Sequence, residues 1–576
     1  MVPKKEKKEI IRVGVFVCHC GTNIGGLLDC KALAEYARTL PNVAYSEDNL
    51  YTCAETGLTS IKKAIKDYDL NRIVVASCTP RTHEPLFREC ISEAGLNPYL
   101  FNLVNIREQC SWVHIGDPDE AFDKALDLIS MGVAKAIKLE PLKMITIDIN
   151  NAALIIGGGV SGMTAALNLN NQGFQTYLVE KEEILGGRLN TLNQLFPHNI
   201  KASDFVEEIK SKVNNAKKIT VFTEAQVMNV NGFVGNYQIE IQQNGRIIDL
   251  TVGAIIVAIG ASLLDPKNLY KYDGVKIITQ YELESKLKEK KMLPNNIVMI
   301  QCAGSRNEDI PYCANVCCMT ALKNALIIKE KNPSANIVIL FRDLYTPGKY
   351  EEYYRRTREN DILFIRYNEN RLPKVNKKKI LVFNEYMGDN LTVPYDLLVL
   401  STPLIANNDN KELAQFLKVP LEANNFFLEA HVKLRPIDFS TDGIFICGSA
   451  KWPVDVSESI TQGYAAASRA STIISKDEMK ISGAIAEIDE EQCIGCGDCR
   501  DLCVYNAIDI VENAIEFKAI RDAIVPSMSF LRYKSKVNPA MCKGCGVCVG
   551  VCPVGALSLK NFTNEQLDVM LESYLP

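Results

Sequence analysis

The chain lacks the features of membrane, secreted and nucleic-acid-binding proteins. It has no uninterrupted apolar run of about eighteen residues and no apolar stretch of signal-peptide type near the N-terminus, so we expect neither a membrane span nor secretion. A net charge of -5 and a pI near 5.8 provide no broad basic field, which argues against nucleic acid as a partner. The lysine-rich opening at residues 4–8 is interpreted as a solvated tail. The expected location is the cytoplasm.

Cysteine is absent between Ser111 and Gln301 but abundant elsewhere. Of the twenty cysteines, seven lie in the first 110 residues, four between 302 and 318, one at 447 and eight in two runs near the C-terminus. Their spacings are typical of metal ligands, which need reduced thiolates, and not of a disulfide framework. This distribution predicts three domains: a cysteine-rich domain at residues 1–143, a nucleotide-binding domain at 144–476 and a ferredoxin-like domain at 477–576.

The two C-terminal cysteine runs have the same spacing, C-x2-C-x2-C-x3-C. The second is followed by Pro553, whereas the first has Val504 in that place. In a two-cluster ferredoxin each 4Fe-4S cluster takes three thiolates from one run and the fourth from the other. The spacing therefore predicts one cluster on Cys493, Cys496, Cys499 and Cys552, and a second on Cys542, Cys545, Cys548 and Cys503. Structural zinc is the alternative. Zinc, however, needs only four ligands, usually two pairs separated by a long loop, whereas each run here has four thiols within eleven residues.

A dinucleotide-binding fingerprint follows the predicted strand at residues 152–156. The turn Gly-Gly-Gly-Val-Ser-Gly opens an apolar helix, and a second strand ends at Glu180 about twenty residues on, where a carboxylate can bind ribose hydroxyls. The alternative is a glycine turn that only closes a strand-helix unit. The predicted dinucleotide contacts are Gly157, Gly159, Val160, Ser161, Gly162, Glu180 and Lys181.

Three later segments favour FAD over NAD. A Gly-Gly-Arg turn after Glu180 resembles the second glycine turn of two-dinucleotide flavoproteins, and two further strands end in glycine-containing segments. In the flavin disulfide reductases, to which this chain is similar here, the distal glycine and the following helix approach the flavin ring. Each segment alone is more often an ordinary core strand, but in this order the segments support one another. The additional predicted FAD contacts are Gly187, Arg188, Ala258, Gly260, Gly448 and Gln462.

The second Rossmann unit expected in such flavoproteins, at residues 295–400, lacks its glycine fingerprint. Without those glycines the backbone cannot approach a pyrophosphate, so we predict that this subdomain has lost nicotinamide binding. Four cysteines follow its first strand instead, and they suggest an iron-sulfur cluster beside the flavin. A redox-active dithiol or buried free thiols are the alternatives, because the spacing C-x10-C-x3-C-C matches no common cluster run. The four are Cys302, Cys313, Cys317 and Cys318.

The N-terminal domain carries cysteines where two predicted strands end. Cys18 and Cys20 follow one strand and Cys78 follows another, and the carboxyl ends of strands are where α/β sheets place their sites. These cysteines, with Cys53 and Cys110, are candidate cluster ligands. Core cysteines are one alternative, and a zinc site that uses His19, His83 or His114 is another.

Several strings resemble the A-subunit family of heterodisulfide reductase, which are iron-sulfur flavoproteins, over nearly the whole chain. They are Val17 to Gly21, Ala76 to Pro85, Gly95 to Leu100, Ile106 to Trp112, and Cys302 with Tyr312-Cys313 and Cys317 to Met319. The resemblance implies an α/β multidomain protein: an N-terminal α/β domain, a thioredoxin-reductase-like Rossmann FAD domain and a C-terminal α+β two-cluster ferredoxin domain. It also implies a cluster on Cys302, Cys313, Cys317 and Cys318, and one in the N-terminal domain. For the latter we favour Cys20, Cys53, Cys78 and Cys110, with Cys18 as the rival. The inserted ferredoxin of many family members is missing.

The resemblance further implies an electron-transfer subunit with no catalytic residue of its own. FAD would exchange two electrons and the clusters one, and the resemblance suggests flavin-based bifurcation between ferredoxin and a disulfide-reducing partner. Expected partners are heterodisulfide reductase B- and C-like subunits, hydrogenase- or formate dehydrogenase-linked subunits, and ferredoxin, around a homodimeric core. The alternatives are an NAD(P)H-dependent reductase resembling the small subunit of glutamate synthase, and a passive electron-transfer scaffold without bound flavin.

Overall fold

The computed structural model describes residues 10–512 and 533–575. The chain divides into two compact units, one of residues 1–146 with 480–576 and the other of residues 147–479. In the described part of the chain, no helix combines the length and apolar character that a membrane crossing requires. The three domain boundaries given above remain a prediction.

The N-terminal part of the first unit is a parallel sheet of four strands in the order β2-β1-β3-β4. Because strand residues alternate between faces, Val13, Val15 and Val17 enter the core beneath α1 and α4, whereas Phe16 enters the opposite core beneath α2 and α3. The strands are β1 (Val13–Cys18), β2 (Val43–Asn49), β3 (Arg72–Ser77) and β4 (Phe101–Asn105), and the helices are α1 (Cys30–Ala37), α2 (Glu55–Asp67), α3 (Pro80–Glu93) and α4 (Pro118–Ile137).

The second unit contains two parallel sheets of five strands. The first sheet has the order β7-β6-β5-β11-β20, with helices on one face and an antiparallel meander, β8 to β10, on the other. Its elements are β5 (Ala152–Ile156), α5 (Val160–Asn171), β6 (Gln175–Val179), α6 (Ala202–Asn214), β7 (Ile219–Phe222), β8 (Ala225–Phe233), β9 (Asn236–Gln243), β10 (Arg246–Val252), β11 (Ala254–Val257), β20 (Ile444–Ile446) and α11 (Val456–Ile474).

The second sheet of this unit has the order β12-β19-β13-β14-β15 and lies in the chain between β11 and β20. Helices α7 to α9 cover one face and a small antiparallel sheet, β16 to β18, covers the other. Its elements are β12 (Ile277–Thr279), α7 (Gln280–Lys288), β13 (Asn296–Ile300), α8 (Cys317–Lys331), β14 (Asn336–Phe341), α9 (Glu351–Glu359), β15 (Leu363–Arg366), β16 (Lys374–Val375), β17 (Lys379–Asn384), β18 (Asp389–Pro394) and β19 (Leu397–Leu400); α10 (Asn410–Leu417) follows.

The C-terminal part of the first unit has two antiparallel strand pairs and short helices that follow the cysteines. Its elements are β21 (Ala486–Ile488), α12 (Asp498–Asp501), β22 (Ile508–Glu512), β23 (Tyr533–Val537), α13 (Val547–Gly550), β24 (Leu557–Leu559) and α14 (Asn564–Tyr574). β21 pairs with β24, and β22 pairs with β23.

Helix α14 packs along α4 and fixes the C-terminal part of the first unit to its N-terminal part. Gln566 closes a capping box with Thr563 and donates from Nε2 to the Lys138 carbonyl at 2.9 Å. The Gly483 amide donates to the Tyr99 hydroxyl at 2.6 Å. These buried hydrogen bonds make the two parts one body.

Candidate functional site

The turn after β5 brings backbone into contacts that only glycine permits. Gly157 has a φ of 109°, and a Cβ there would overlap the Ala258 carbonyl at the end of β11. A Cβ on Gly162 would overlap the Gly157 carbonyl, so α5 lies directly against the turn. Helix α5 begins at Val160 with Gly159 as its N-cap, which directs the free amides of its first turn toward the turn's open side. The cradle fits the pyrophosphate of a dinucleotide.

A cleft of about 690 Å³ continues from this turn and fits the adenosine half of the cofactor. It is lined by residues that include Gly157, Glu180, Lys181, Asn407 and Asp409. Glu180 accepts hydrogen bonds from the Gly158 amide at 2.7 Å and the Glu182 amide at 2.9 Å, which fixes its carboxylate at the end of β6. The predicted Glu180 and Lys181 therefore lie together.

Asn407 and Asp409 were missing from the sequence prediction. Asn407 donates to the carbonyls of Ile259 and Gly260 at 3.2 and 3.3 Å, and Asp409 pairs with Lys181 at 3.5 Å. The available signal was a polar run, Asn407 to Asn410, shortly after the strand-like residues 397–400. The contact between this run and the residues that follow β6 is long-range in sequence, so motif spacing does not reveal it.

The distal end of the cradle is formed by the segment after β20. Gly448 has a φ of 68°, and its amide donates to the Gln462 side-chain oxygen at 2.9 Å. Helix α11 packs on α5, and a Cβ on Gly463 would clash with the Ser161 carbonyl. The structure thus brings the segment of Gly448 and Gln462 to the fingerprint helix, as a flavin cradle requires.

Arg188 connects the flavin segment to the cysteine patch after β13. Its guanidinium donates to the Ala261 carbonyl and lies 5.5 Å from the centre of the Tyr281 ring. Burial raises the pKa of Tyr281, Arg188 lowers it, and the Cys317 thiol raises it. Tyr281 therefore lies beside Arg188 and within electrostatic reach of Cys317. Gly187, with a φ of 51°, lies beside the Gly159 Cα.

The four cysteines of the patch converge at the carboxyl end of β13 and the start of α8. Burial raises the pKa of Cys302 to about 11, with the Cys318 and Cys313 thiols adding to the rise and Arg306 opposing it. A hydrogen bond from Cys317 lowers the pKa of Cys318. Cys302 also has a φ of 55°, an uncommon conformation for a residue with a Cβ. Because ionised thiolates in this group would repel one another, the group suits a site in which metal ions supply the compensating charge.

The N-terminal cysteines meet where β2, β1 and β3 end side by side. Burial raises the pKa of Cys78 to about 11; Arg107 opposes this, and the neighbouring thiols of Cys20, Cys18 and Cys53 add to it. Cys18 accepts from the Thr52 amide at 3.4 Å, and Arg107 lies 3.8 Å from the Cys20 sulfur. The structure therefore groups Cys18, Cys20, Cys53 and Cys78.

The structure does not bring Cys110 into this group, and the ligand set of the N-terminal cluster stays a prediction. Its thiol donates to the Ala121 carbonyl at 3.0 Å inside the core formed by α1 and α4, and it is fully buried. Burial raises its pKa to about 11, and the charge of Lys124 opposes the shift. The π-helical turn Arg107–Ser111 directs the thiol into that core. Cys18, at the end of the central strand β1, lies with the cysteines of this group instead.

A single metal ion has no ready site among residues 10–512 and 533–575. No group of three or more histidine, cysteine, aspartate or glutamate side chains there converges closely enough to hold one. The His19 imidazole contacts Asp48 at 2.7 Å.

The first ferredoxin site is a small cavity between the two cysteine runs. Four thiols line it, together with Ser535: Cys493, Cys496, Cys499 and Cys552. The Ala556 amide donates to Cys552 at 3.2 Å and the Ser535 amide donates to Cys493 at 3.5 Å. Although burial opposes it, hydrogen bonds from Ser535 and the Gly495 amide, with the charge of Lys534, hold the pKa of Cys493 below its usual value.

The second ferredoxin site repeats this arrangement. Burial raises the pKa of Cys548 to about 11, and the neighbouring thiols of Cys542, Cys545, Cys499 and Cys503 add to the rise. The Ala507 amide donates to Cys503 at 3.3 Å, as Ala556 does to Cys552. The cavity lining groups three thiols of the first run with Cys552 of the second, and the corresponding set for the second site stays a prediction.

Two family models match the chain. The model described as a pyridine nucleotide-disulphide oxidoreductase matches residues 151–300, and the 4Fe-4S dicluster domain matches residues 487–556. Together with the glycine cradle and the paired thiol groups, they define a flavin-dependent iron-sulfur oxidoreductase that uses FAD and 4Fe-4S clusters. The predicted fold class and these cofactors are confirmed.

Curated relatives specify the family. The second iron-sulfur A-subunit of the CoB--CoM heterodisulfide reductase of Methanopyrus kandleri is 38% identical, over 87% of this chain and 91% of the relative. The A-subunit of the H(2):CoB-CoM heterodisulfide,ferredoxin reductase of Methanothermobacter thermautotrophicus is 35% identical, over 88% and 92%. The chain also aligns with Lactococcus lactis thioredoxin reductase at 16% identity and a TM-score of 0.41, over 56% of this chain and 99% of that one. The chain belongs to the heterodisulfide reductase A-subunit family, as its sequence motifs indicate.

Proposed function

We propose that the chain distributes electrons between FAD in the second unit and iron-sulfur clusters that exchange one electron at a time. The observation that carries the proposal is the series Arg188, Tyr281 and Cys317, which joins the flavin segment to a group of four cysteines. FAD supplies the conversion between two-electron and one-electron transfer when bound. The cradle residues bind and orient it, and no residue of the chain is proposed as an acid, base or nucleophile.

Two clusters are proposed beyond the ferredoxin pair. One is held by Cys302, Cys313, Cys317 and Cys318, and the other by Cys18, Cys20, Cys53 and Cys78 in the N-terminal sheet. Their support is the mutual proximity of each set of thiols. A redox-active dithiol at the first site would leave two of the four thiols without a role. Four clusters correspond to about sixteen irons per chain.

The proposal also covers the partners of the chain and the direction of electron flow. The relative from Methanothermobacter thermautotrophicus is named as a heterodisulfide and ferredoxin reductase acting with H2. By analogy we propose a multi-subunit complex with a homodimeric core, in which one electron passes to ferredoxin and its companion to a disulfide-reducing subunit. The described residues of the flavin unit contain no C-x2-C dithiol, so disulfide reduction is assigned to that partner.

Nicotinamide oxidation by the isolated chain is not expected. In the turn after β13, Cys302 and Ala303 stand where a pyrophosphate-binding turn has glycine, and Gly304 is covered by Leu264 and Leu269. Backbone amides therefore have no open approach to a phosphate group. The glutamate-synthase-like alternative requires such an approach.

The decisive experiment starts from the native complex, purified anaerobically, with its subunits identified and its FAD and iron measured. Flavin and cluster spectra are then followed after rapid mixing of the isolated chain with NADPH, or with reduced ferredoxin. We expect about sixteen irons and one FAD per chain, reduction by ferredoxin and none by NADPH. Rapid bleaching by NADPH overturns the assignment and favours the reductase alternative. Absence of bound FAD favours the passive scaffold.

A further inference from the structure

The two ferredoxin sites have matching backbones but different side chains at one position. Ser535 stands seven residues before Cys542, and Ala486 stands seven residues before Cys493. Each contributes its amide to the first cysteine of the other run, Ser535 to Cys493 and Ala486 to Cys542, both at 3.5 Å. The backbone contact is the same at both sites, so Ser535 and Ala486 are equivalent positions.

Only the first site gains a side-chain hydroxyl from this position. The Ser535 oxygen lies 3.3 Å from the Cys499 sulfur and 3.7 Å from the Cys493 sulfur, and Ser535 is buried. Once both cysteines are thiolates, they accept only, so the hydroxyl donates to sulfur. Ala486 offers a methyl group to Cys542 in the same place.

The neighbouring position adds a buried cation to the first site alone. Lys534 is buried, and its ammonium donates to the Cys493 carbonyl at 2.8 Å. No carboxylate among the described residues forms an ion pair with it. Ile485 precedes Ala486 as Lys534 precedes Ser535, and its side chain carries no charge. A charge inside the protein acts on a neighbouring site more strongly than an exposed, screened charge.

We propose that Lys534 and Ser535 are a tuning pair that raises the reduction potential of the cluster held by Cys493, Cys496, Cys499 and Cys552. Reduction adds one negative charge to a cluster, and a hydrogen bond to its sulfur or a nearby cation stabilises that charge. The second site has neither group at the equivalent positions, so the two clusters of this module are electronically distinct. The proposal rests on the cluster assignments made under the proposed function.

Burial of the first site acts in the opposite direction. Each site has one exposed thiol, Cys496 in the first and Cys545 in the second, but only the first site has buried thiols, Cys493 and Cys499. Burial disfavours the more highly charged reduced state. The contribution of the tuning pair is therefore measured against variants of the same cluster, and not by the order of the two potentials.

The test is a mediator titration of the full-length chain with dithionite under anaerobic conditions, read by electron paramagnetic resonance, with Cys545→Ser used to assign the second cluster's signal. We expect Ser535→Ala and Lys534→Gln each to shift the first cluster to a lower potential and leave the second unchanged. Ala486→Ser places a hydroxyl opposite Cys542 and should raise the potential of the second cluster.

Iron content and signal intensity separate tuning from cluster loss. Ser535→Thr retains the hydroxyl and should restore the wild-type potential. Unchanged potentials in both Ser535→Ala and Lys534→Gln at full iron content overturn the proposal. If Ser535→Ala fails to assemble its cluster, Lys534→Gln and Ala486→Ser still decide the question. A wild-type chain that contains only about eight irons, and not about sixteen, would contradict the four-cluster assignment. The two ferredoxin clusters could still be titrated in that chain.

Discussion

Gly448 faces the Ser161 side chain so closely that a Cβ on Gly448 would overlap the serine Oγ. Ser161 lies in the first turn of α5, and Gly448 follows β20 nearly three hundred residues later. The contact therefore closes the flavin cradle between its two distant halves. It makes both segments parts of one site.

Gly448→Ala is expected to abolish or strongly weaken FAD binding. The added methyl group meets Ser161 and must also adopt a φ of 68°, which costs about 1–2 kcal/mol in an L-residue. The displaced segment no longer presents its amide to Gln462. FAD released from the purified chain by acid measures the effect.

Gly388→Ala is the matched control for this variant. Gly388 has a φ of 67° in the turn between β17 and β18, but a Cβ there meets nothing within 4 Å. Gly388→Ala therefore has the same backbone strain as Gly448→Ala but no clash of the added methyl group. We expect it to retain FAD at the wild-type level. Equal loss in both variants would assign the effect to backbone strain and not to cradle closure.

Cys545→Ser is expected to disable the second ferredoxin cluster and leave FAD bound. Cys545 is exposed, so its loss removes a ligand without disturbing a packed core. Iron should fall by about four per chain, or the cluster should become labile. Electron delivery from the flavin to an added ferredoxin should fall with it. Delivery at the wild-type rate in the variant would show that this cluster is not on the electron path.

The N-terminal ligand set is tested by comparing Cys18→Ser with Cys110→Ser. Cys18→Ser should remove a cluster ligand and lower the iron content by about four per chain. Cys110→Ser should keep the iron, because the hydroxyl can still donate to the Ala121 carbonyl in the core. Iron loss in Cys110→Ser but not in Cys18→Ser would instead support the ligand set of Cys20, Cys53, Cys78 and Cys110. Cys90→Ser, whose thiol donates to the Leu58 carbonyl, serves as a further control.

Local spacing was enough to predict the parts of the site that lie close together in sequence. The turn from Gly157 to Gly162 has a fixed relation to its own strand and helix, so the cradle followed from six residues. The family and the fold class could be predicted because several such strings occur in the right order.

The remaining contacts depend on which strands are neighbours. Cys18 and Cys110 were both plausible ligands in sequence, since each belongs to a distinctive cysteine-containing string. The order β2-β1-β3 places Cys18 between Cys53 and Cys78, and the π-helical turn buries Cys110. Asn407 reaches the Ile259 carbonyl across 148 residues, and no short-range pattern encodes that distance.

The buried pair of Lys323 and Glu284 is expected to hold the cysteine-bearing helix α8 to α7. Both side chains are almost fully buried, and they form an ion pair. Lys323 also donates to the Gln194 carbonyl at 2.8 Å, while Glu284 accepts from the Asn193 amide at 2.8 Å. Burial lowers the pKa of Lys323, and Glu284 opposes the shift.

Lys323→Met leaves the Glu284 carboxylate buried without its cation, which should destabilise the second unit by about 3–5 kcal/mol. Because the isolated charge is the main cost, the double variant Lys323→Met with Glu284→Gln should recover part of that loss. Chemical denaturation of the apoprotein, followed by circular dichroism, measures both. Lys329→Met removes a partly exposed lysine of the same helix whose ammonium donates to the Pro333 carbonyl at 3.2 Å, and it should change stability by less than about 0.5 kcal/mol. A double variant no more stable than Lys323→Met alone would show that packing, and not the unpaired carboxylate, determines the loss.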